Sequence, residues 1–395
     1  MGIYKRISLL DVILLFLTLD TVSFGTPLGY LSLSYIGTLI FLLFLIKEAS
    51  GKINFKGIYN YSLILIPIWF SFISTFTGTS ILGNLSRVII YCATALFLPY
   101  SKITIDNFAS SIKKVILFHF TFLIFDLFFE VPWGWEGSQF VLFGGYNYSA
   151  RPSGLLGEPS FYGIMVNSLY LILIILNRSK NIYGLLVVFS TAMSASVSGT
   201  FVATFLFIYD FFKNYKNDLL KILFLKSIKK RFLTLILTLI IFTIPIVIFL
   251  SNHEFSQRIA NPFQDGSIIG RTLGSYFYFE RTVKESPVFG YGFGSISELK
   301  YDKKNPDTFI DFLDNGQLVH VPIGSCNVIV AITVMGGLVA LYLYLQYVFT
   351  GIGFNNKLYL YLLILFCTGK VFYSILFLIP AFQKYYKINN NQLNR

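Results

Sequence analysis

Apolar residues fall into eleven runs separated by short polar stretches: 7–19, 28–46, 58–75, 81–98, 115–129, 161–176, 182–194, 198–212, 232–250, 325–349 and 358–382. Several approach the ~20 apolar residues that a helix needs to cross a hydrocarbon core. The pattern therefore predicts an all-α fold, a polytopic transmembrane helix bundle of about 11–12 spans. One integral membrane domain is expected over residues 1–395, with a single large extracytoplasmic loop at 251–322. The runs 182–194 and 198–212 are short, and the join Ser194–Thr200 is small and hydroxylated. Such residues let helix backbones approach closely in lipid and satisfy freed backbone groups. The run 358–382 is interrupted by Gly369-Lys370 and reads either as one tilted span or as two short ones.

Composition agrees with the pattern. Hydrophobic residues make up 55% of the chain and charged residues 13%, against roughly 25% charged in soluble domains. The net charge of +12 would suggest nucleic acid in a soluble protein. Here the basic residues lie in short loops between runs, which the membrane reading explains without nucleic acid. Cys92, Cys326 and Cys367 are scattered, with neither a disulfide framework nor metal spacing. The basic start Lys5-Arg6 is followed by no small-residue cleavage site, so an uncleaved first span is expected.

Lysine and arginine cluster at 5–6, 47–56, 102–114, 178–180 and 213–231, which are alternate loops. The positive-inside rule makes these cytoplasmic and puts 251–322 outside. Lys384, Lys387 and Arg395 then favour a cytoplasmic C-terminus, which requires an even span count and a split of the last run near Gly369.

Charges near spans are costly, about 2.5–3.5 kcal/mol each on insertion scales, so those present are informative. Arg87 lies near the outer end of the fourth run, and Asp126 and Glu130 end the fifth, with His119 deeper. Arg151 and Glu158 precede the sixth, in Arg151-Pro-Ser-Gly-Leu-Leu-Gly-Glu158-Pro159-Ser160. Glu158-Pro159 reads as an acidic helix start with proline at the first helical position. It reads equally as a boundary carboxylate able to take a proton from a sugar hydroxyl. In the long loop, a helix over 269–284 would put Arg271, Gly274, Tyr278 and Arg281 on one side. Arginine suits two-pronged phosphate recognition, while a solvated amphipathic face is the plainer reading. Tyr146, Tyr148, Tyr276 and Tyr278 offer apolar faces with polar tips for a glycan path.

No Asp-x-Asp pair, zinc spacing, Walker A loop or G-x-G-x-x-G helix start occurs. Gly290-Tyr-Gly-Phe-Gly294 is a lone glycine-rich turn, a weak phosphate signal. Nucleotide-driven transport and a nucleotide-sugar donor are thereby disfavoured.

These residues resemble the O-antigen polymerase and ligase superfamily of bacterial membrane enzymes. The resemblance rests on Arg151-x-x-Gly154-x-x-x-Glu158-Pro159-Ser160, on Ser194–Thr200, on Arg271, Arg281 and Glu285-Ser-Pro287-Val-Phe-Gly290-Tyr-Gly292-Phe-Gly294, and on Ser325-Cys326-Asn327 before Gly336-Gly337. Arg281 and Gly292 also match the superfamily's arginine–glycine spacing. Ligases usually carry histidine where Cys326 stands, which favours a polymerase; His320 lies a few residues earlier.

The resemblance implies a GT-C-like membrane enzyme of the bacterial cytoplasmic (inner) membrane, multi-pass, with no cofactor and no metal. Its substrates would be undecaprenyl-diphosphate-linked oligosaccharides, polymerised on the extracytoplasmic face into O-antigen, capsule or exopolysaccharide. A chain-length regulator is a further candidate partner. Glu158, Arg271, Arg281 and His320 are the implied catalytic set, and Arg87, Arg151, Ser160, Tyr278, Gly292 and Asn327 the implied substrate-binding set. Competing readings are a ligase with another acceptor, a lipid-linked oligosaccharide flippase and a non-catalytic scaffold. A flippase would show two comparable halves, and none is visible here.

Overall fold

A computed structural model describes residues 7–19, 23–26, 29–49, 56–77, 82–129, 133–136, 139–142, 155, 159–194, 196–224, 271, 274–292, 310–311, 318–319, 326–368 and 374–393. The expected run 232–250, most of the loop 251–322, and the candidates Arg151, Glu158 and His320 lie outside the described residues.

In chain order the elements are α1 (Leu9–Thr18), β1 (Ser23–Thr26), β2 (Gly29–Ser32), α2 (Leu33–Glu48), α3 (Ile58–Thr77), α4 (Leu82–Phe97), α5 (Ile105–Phe129), β3 (Trp133–Glu136) and β4 (Gln139–Leu142). There follow α6 (Pro159–Ile175), α7 (Asn181–Met193), α8 (Val197–Phe224), α9 (Ser275–Glu285), β5 (Ile310–Asp311), β6 (Leu318–Val319), α10 (Val328–Ile352), α11 (Asn356–Cys367) and α12 (Ser374–Leu393). The fold is helical as the sequence predicts, and the strands are confined to three antiparallel two-stranded hairpins, β1–β2, β3–β4 and β5–β6. Among the described residues three helices are long and apolar enough to cross a membrane: Ile58–Thr75, Ile105–Phe128 and Val328–Ile352. Exposed Ile64, Leu65, Ile68 and Phe72 on α3 suit contact with lipid. The chain is a membrane-associated protein.

Several boundaries differ from the sequence expectation. The run 28–46 becomes helical only at Leu33, because residues 29–32 pair with β1 and Ser32 caps the helix through Tyr35 N–H at 3.3 Å. The run 115–129 extends backwards to Ile105, where Thr104 Oγ1 accepts from Asn107 N–H at 3.2 Å. The basic stretch assigned to a loop there is the first turns of α5. Similarly, α8 and α12 run past the expected ends at 212 and 382. The last run holds two helices, α11 ending at Cys367 and α12 starting at Ser374, while Gly369 and Lys370 lie outside the described residues.

Chain contacts divide the protein into two compact units, residues 1–111 with 261–395, and residues 112–260. In the first unit α3 and α10 run antiparallel: the rings of Tyr59 and Tyr347 lie 5.3 Å apart, Ser62 donates to Gln346 at 3.2 Å, and Trp69 reaches Gly336. Three buried phenols bond to carbonyls on neighbouring helices. Pro380 has no N–H for the Leu376 carbonyl one turn earlier, and Tyr361 Oη donates to that carbonyl at 3.1 Å. Tyr347 Oη donates to Phe377 O at 2.6 Å, and Tyr59 Oη to Ala95 O at 2.9 Å. Each bond fixes one helix against another and removes an acceptor that would be costly in an apolar interior.

The second unit packs α6, α7 and α8. Gly163 and Gly199 let α6 and α8 touch backbone to backbone; a Cβ on Gly199 would lie 2.9 Å from Gly163 Cα. Asn167 Nδ2 donates to Gly199 O at 2.8 Å across that crossing. Ser196 starts α8 by accepting from Gly199 N–H at 3.3 Å. The small hydroxylated join is thus a close helix crossing, as expected from its composition. The unit also buries Asp210, which accepts from Tyr170 Oη at 2.8 Å and Ser179 Oγ at 2.6 Å.

Candidate functional site

The centre of interest is the start of α10 and the α9 segment beside it, all within the first unit. Asn327 is the N-cap of α10: its Oδ1 accepts from Val330 N–H at 3.0 Å. Its backbone N–H donates to Ser275 Oγ at 3.0 Å and its Nδ2 to Arg271 O at 3.5 Å. One asparagine therefore starts a helix and ties down the segment carrying Arg271. Regular α-helix begins at Ser275 with Gly274 as its N-cap, and residues 269, 270, 272 and 273 of the expected helix lie outside the described residues. Arg271 itself is half-buried and within electrostatic reach of the Cys367 thiol.

Along α9, Tyr278 turns inward and packs with Tyr291 on Cys326, just before α10, and on Val330 and Val334 of α10. Burial, and then the neighbouring Cys326, push its phenol up to about 12. Arg281 follows at the edge of this contact. Its Nε donates to both carboxylate oxygens of Glu285 at 3.1 Å, and Tyr291 Oη donates to the same carboxylate. The Tyr291 hydroxyl, and then Arg281, hold the Glu285 carboxyl below the usual range against a smaller opposing effect of burial. Burial and the Glu285 carboxylate push the Tyr291 phenol up to about 12. Arg281, Glu285 and Tyr291 form one coupled cluster. Lys284 and Glu280 make a second pair at 2.6 Å on the more exposed side.

Glu285 is the residue whose role the sequence analysis missed, although the signal was present: it stands four residues after Arg281 on a helix, the spacing that brings side chains together. Tyr291 carried no such signal, because its approach depends on how the chain turns after α9.

That turn has a specific cause. Inside α10 the backbone leaves the helix at Gly337, with φ 68 and ψ −172, a conformation essentially reserved for glycine. A broken helix exposes carbonyls and N–H groups that an apolar environment cannot satisfy. Here the stretch after α9 supplies the partners. Tyr291 N–H donates to Val334 O at 2.8 Å and Gly292 N–H to Met335 O at 3.1 Å, while Leu338 N–H donates to Pro287 O at 2.8 Å. The Trp69 indole takes the remaining carbonyl, Gly336 O, at 2.8 Å. Gly290, at φ +64, lets this wedge lie against α10: a Cβ there would meet Val334 O at 2.5 Å. Phe289 then stacks on Trp69 at 5.7 Å and 11°. The break lies ten residues past the cap, roughly 15 Å along the helix at 1.5 Å per residue.

This geometry corrects the phosphate reading of the glycine-rich turn. The N–H groups of Tyr291 and Gly292 are bonded to α10 carbonyls and are not presented to an anion. Gly292 serves the broken helix, and its separation from Arg281 fixes how far α9 sits from that break.

Arg87 is half-buried on α4. Since Tyr59 on α3 reaches Ala95 on α4, the antiparallel register puts Arg87 near the level of Pro67, about half a turn from Trp69. No hydrogen bond or ion pair among the described residues joins it to Arg271 or Arg281. Ser160 is half-buried in the first turn of α6, in the second unit. Pro159 occupies the first position of that helix, as its sequence suggests. The structure thus brings together Arg271, Tyr278, Arg281, Gly292 and Asn327 of the sequence candidates. Among the described residues no group of three His, Cys, Asp or Glu side chains is arranged to hold a metal ion.

No family model matches the sequence, and no curated protein matches it.

Proposed function

We propose that this chain is a polytopic glycosyltransferase of the bacterial cytoplasmic membrane. It polymerises oligosaccharide repeat units carried on undecaprenyl diphosphate, with its chemistry on the extracytoplasmic side. The observation that carries the reading is the placement of Arg281. It sits on a helix anchored to α10, a helix of membrane-spanning length, and is held in orientation by Glu285 and Tyr291. The resemblance to the O-antigen polymerase and ligase superfamily places the same arginine on the substrate.

In the proposed reaction a hydroxyl at the non-reducing end of one glycan attacks the anomeric carbon of a second. The bond from that carbon to the lipid diphosphate breaks, and the diphosphate leaves with the electron pair. The hydroxyl proton passes to a base, for which Glu158 and His320 are the candidates. Charge grows on the leaving diphosphate, and fixed cations near a water-poor boundary stabilise it best. The ion pair with Glu285 engages Arg281 Nε. The terminal nitrogens, which make the two-pronged grip on phosphate, lie outside that pair. Arg271 would supply the second cation. Glu285 is a positioning residue, since it touches Arg281 rather than substrate.

With α10 entering from the outer side at Asn327, α11 runs back and α12 returns, which puts the C-terminus in the cytoplasm, as the charge distribution suggests. The test is polymerisation by the purified protein given only synthetic lipid-linked repeat units. A ladder of products from the native chain, abolished in Arg281→Ala and Arg271→Ala that still insert and fold, is the expected result. A native chain that transfers only to a foreign acceptor would be a ligase, and one that makes no product would lose the enzymatic reading.

A further inference from the structure

The opposite end of α10 gathers cations of another kind. Lys387 on α12 donates to the last carbonyls of α10, Ile352 O at 2.9 Å and Gly351 O at 3.4 Å. Lys384, three residues earlier, lies over the Tyr59 ring with Nζ 3.5 Å from its centroid. Lys357, in the first turn of α11, reaches Gln383 Oε1 at 3.2 Å and lies over the Tyr386 ring at 5.1 Å. All three lysines are half-buried. Among the described residues no carboxylate pairs with Lys384 or Lys387, and the charge that acts on Lys384 is that of Lys387. Two like charges held together and partly out of water are unfavourable unless an anion joins them. Exposed Phe354 and Tyr359 stand beside Lys357, the kind of aromatic side chain that sits at a membrane–water boundary.

We infer that Lys384 and Lys387, with Lys357, form a site for the phosphate of an anionic lipid headgroup in the leaflet at the Ile352 end of α10. The chemistry recognised is a phosphodiester monoanion whose headgroup carries no cation of its own. Tyr59 and Tyr386 present ring faces to the lysines, and α10 contributes its carbonyl-rich end, so the lysines are held at the boundary rather than swinging freely into water. A lipid is the better source than a soluble phosphate because the site lies at the end of a helix of spanning length, beside exposed aromatic rings. Its position in the cytoplasmic leaflet rests on the orientation proposed above; the lysine geometry does not.

The experiment is native mass spectrometry of the full chain released from micelles doped with phosphatidylglycerol or phosphatidylcholine. The native chain is expected to retain phosphatidylglycerol at least about fivefold over phosphatidylcholine, Lys384→Gln/Lys387→Gln to lose that preference, and Lys384→Arg/Lys387→Arg to keep it. Lys284→Gln, which removes a surface lysine near the other end, should change nothing. Equal retention by the glutamine variant and the native chain overturns the site. So does thermal stabilisation of the native chain by inorganic phosphate equal to that given by phosphatidylglycerol at the same concentration, which would make the ligand soluble. Should the glutamine variant fail to fold, loss of preference in Lys384→Arg/Lys387→Arg would count against the proposal and its retention for it. Ladder formation by the native sample, measured in parallel, reports separately on the polymerase reading.

Discussion

At the Asn327 end of α10, Arg281 is paired with Glu285 and Lys284 with Glu280, whereas at the Ile352 end Lys384 and Lys387 meet an aromatic ring, backbone carbonyls and each other. The backbone differs too. The first third of α10 is broken and repaired from outside by the wedge at 287–292, while the far end closes with ordinary caps: Gly353 N–H donates to Phe349 O at 2.8 Å and Asn355 Nδ2 to Ile352 O at 2.9 Å. A helix break that needs four external hydrogen bonds is expensive to build, and proteins keep such breaks where irregular backbone serves a site. The contrast separates an end where a cation is held by a carboxylate beside a repaired helix break from an end where, among the described residues, Lys384 and Lys387 have no carboxylate partner.

The sharpest way to break the contrast is at the wedge. Gly337→Ala would put a Cβ 2.0 Å from Val288 O at a backbone conformation closed to alanine. A destabilisation on the order of 3 kcal/mol or more is expected, seen as a drop of several degrees in Tm and loss of ladder formation. Lys387→Met at the other end should cost about 0.5–1 kcal/mol, the scale of a cation at a helix C-terminus, and leave ladders intact. Equal losses at both ends would erase the distinction.

Arg281→Ala tests the site without the support. Ladder formation should fall by roughly 100-fold or more, the range for removing a donor aimed at developing charge. Its exposed i,i+4 pair contributes only about 0.3–0.5 kcal/mol, so Tm should barely move. Arg281→Lys should recover part of the rate, since lysine keeps the charge but not the planar fork. Trp69→Phe leaves Gly336 O without its indole donor and should cost about 1–3 kcal/mol, with a proportionate loss of activity.

The smallest effect belongs to pH. Glu285 is held below its ordinary carboxyl range, so its pairing is fully present above about pH 4.3, the unfolded value, and is lost as pH falls through the lower folded value. Between pH 6 and 8 this pair should contribute no slope to ladder formation. A rise or fall in that window that disappears in Glu285→Gln would contradict the assignment.

Local and periodic features were readable from sequence. The helix of spanning length at Ile58–Thr75, the later one at Val328–Ile352, the division of the last run between Cys367 and Ser374, the close crossing at Ser194–Thr200 and the proline at the start of α6 all follow from hydropathy, small residues and chain stiffness. The tie from Asn327 to Arg271 O was not legible, because it joins residues 56 apart. The wedge was invisible because its bonds join backbone groups more than 40 residues apart, at positions marked only by glycines that suggested phosphate instead. Asp210 was missed for a similar reason: Tyr170 and Ser179 reach it across 40 and 31 residues.

The account turns on α10 presenting its two ends to opposite sides of a membrane. In a background lacking Cys92, Cys326 and Cys367, single cysteines replace exposed Tyr276 on α9 and exposed Phe354 after α10. With a membrane-impermeant maleimide, intact cells should label Tyr276→Cys and not Phe354→Cys, and inverted vesicles the reverse. Labelling of both positions from the same side would contradict the account.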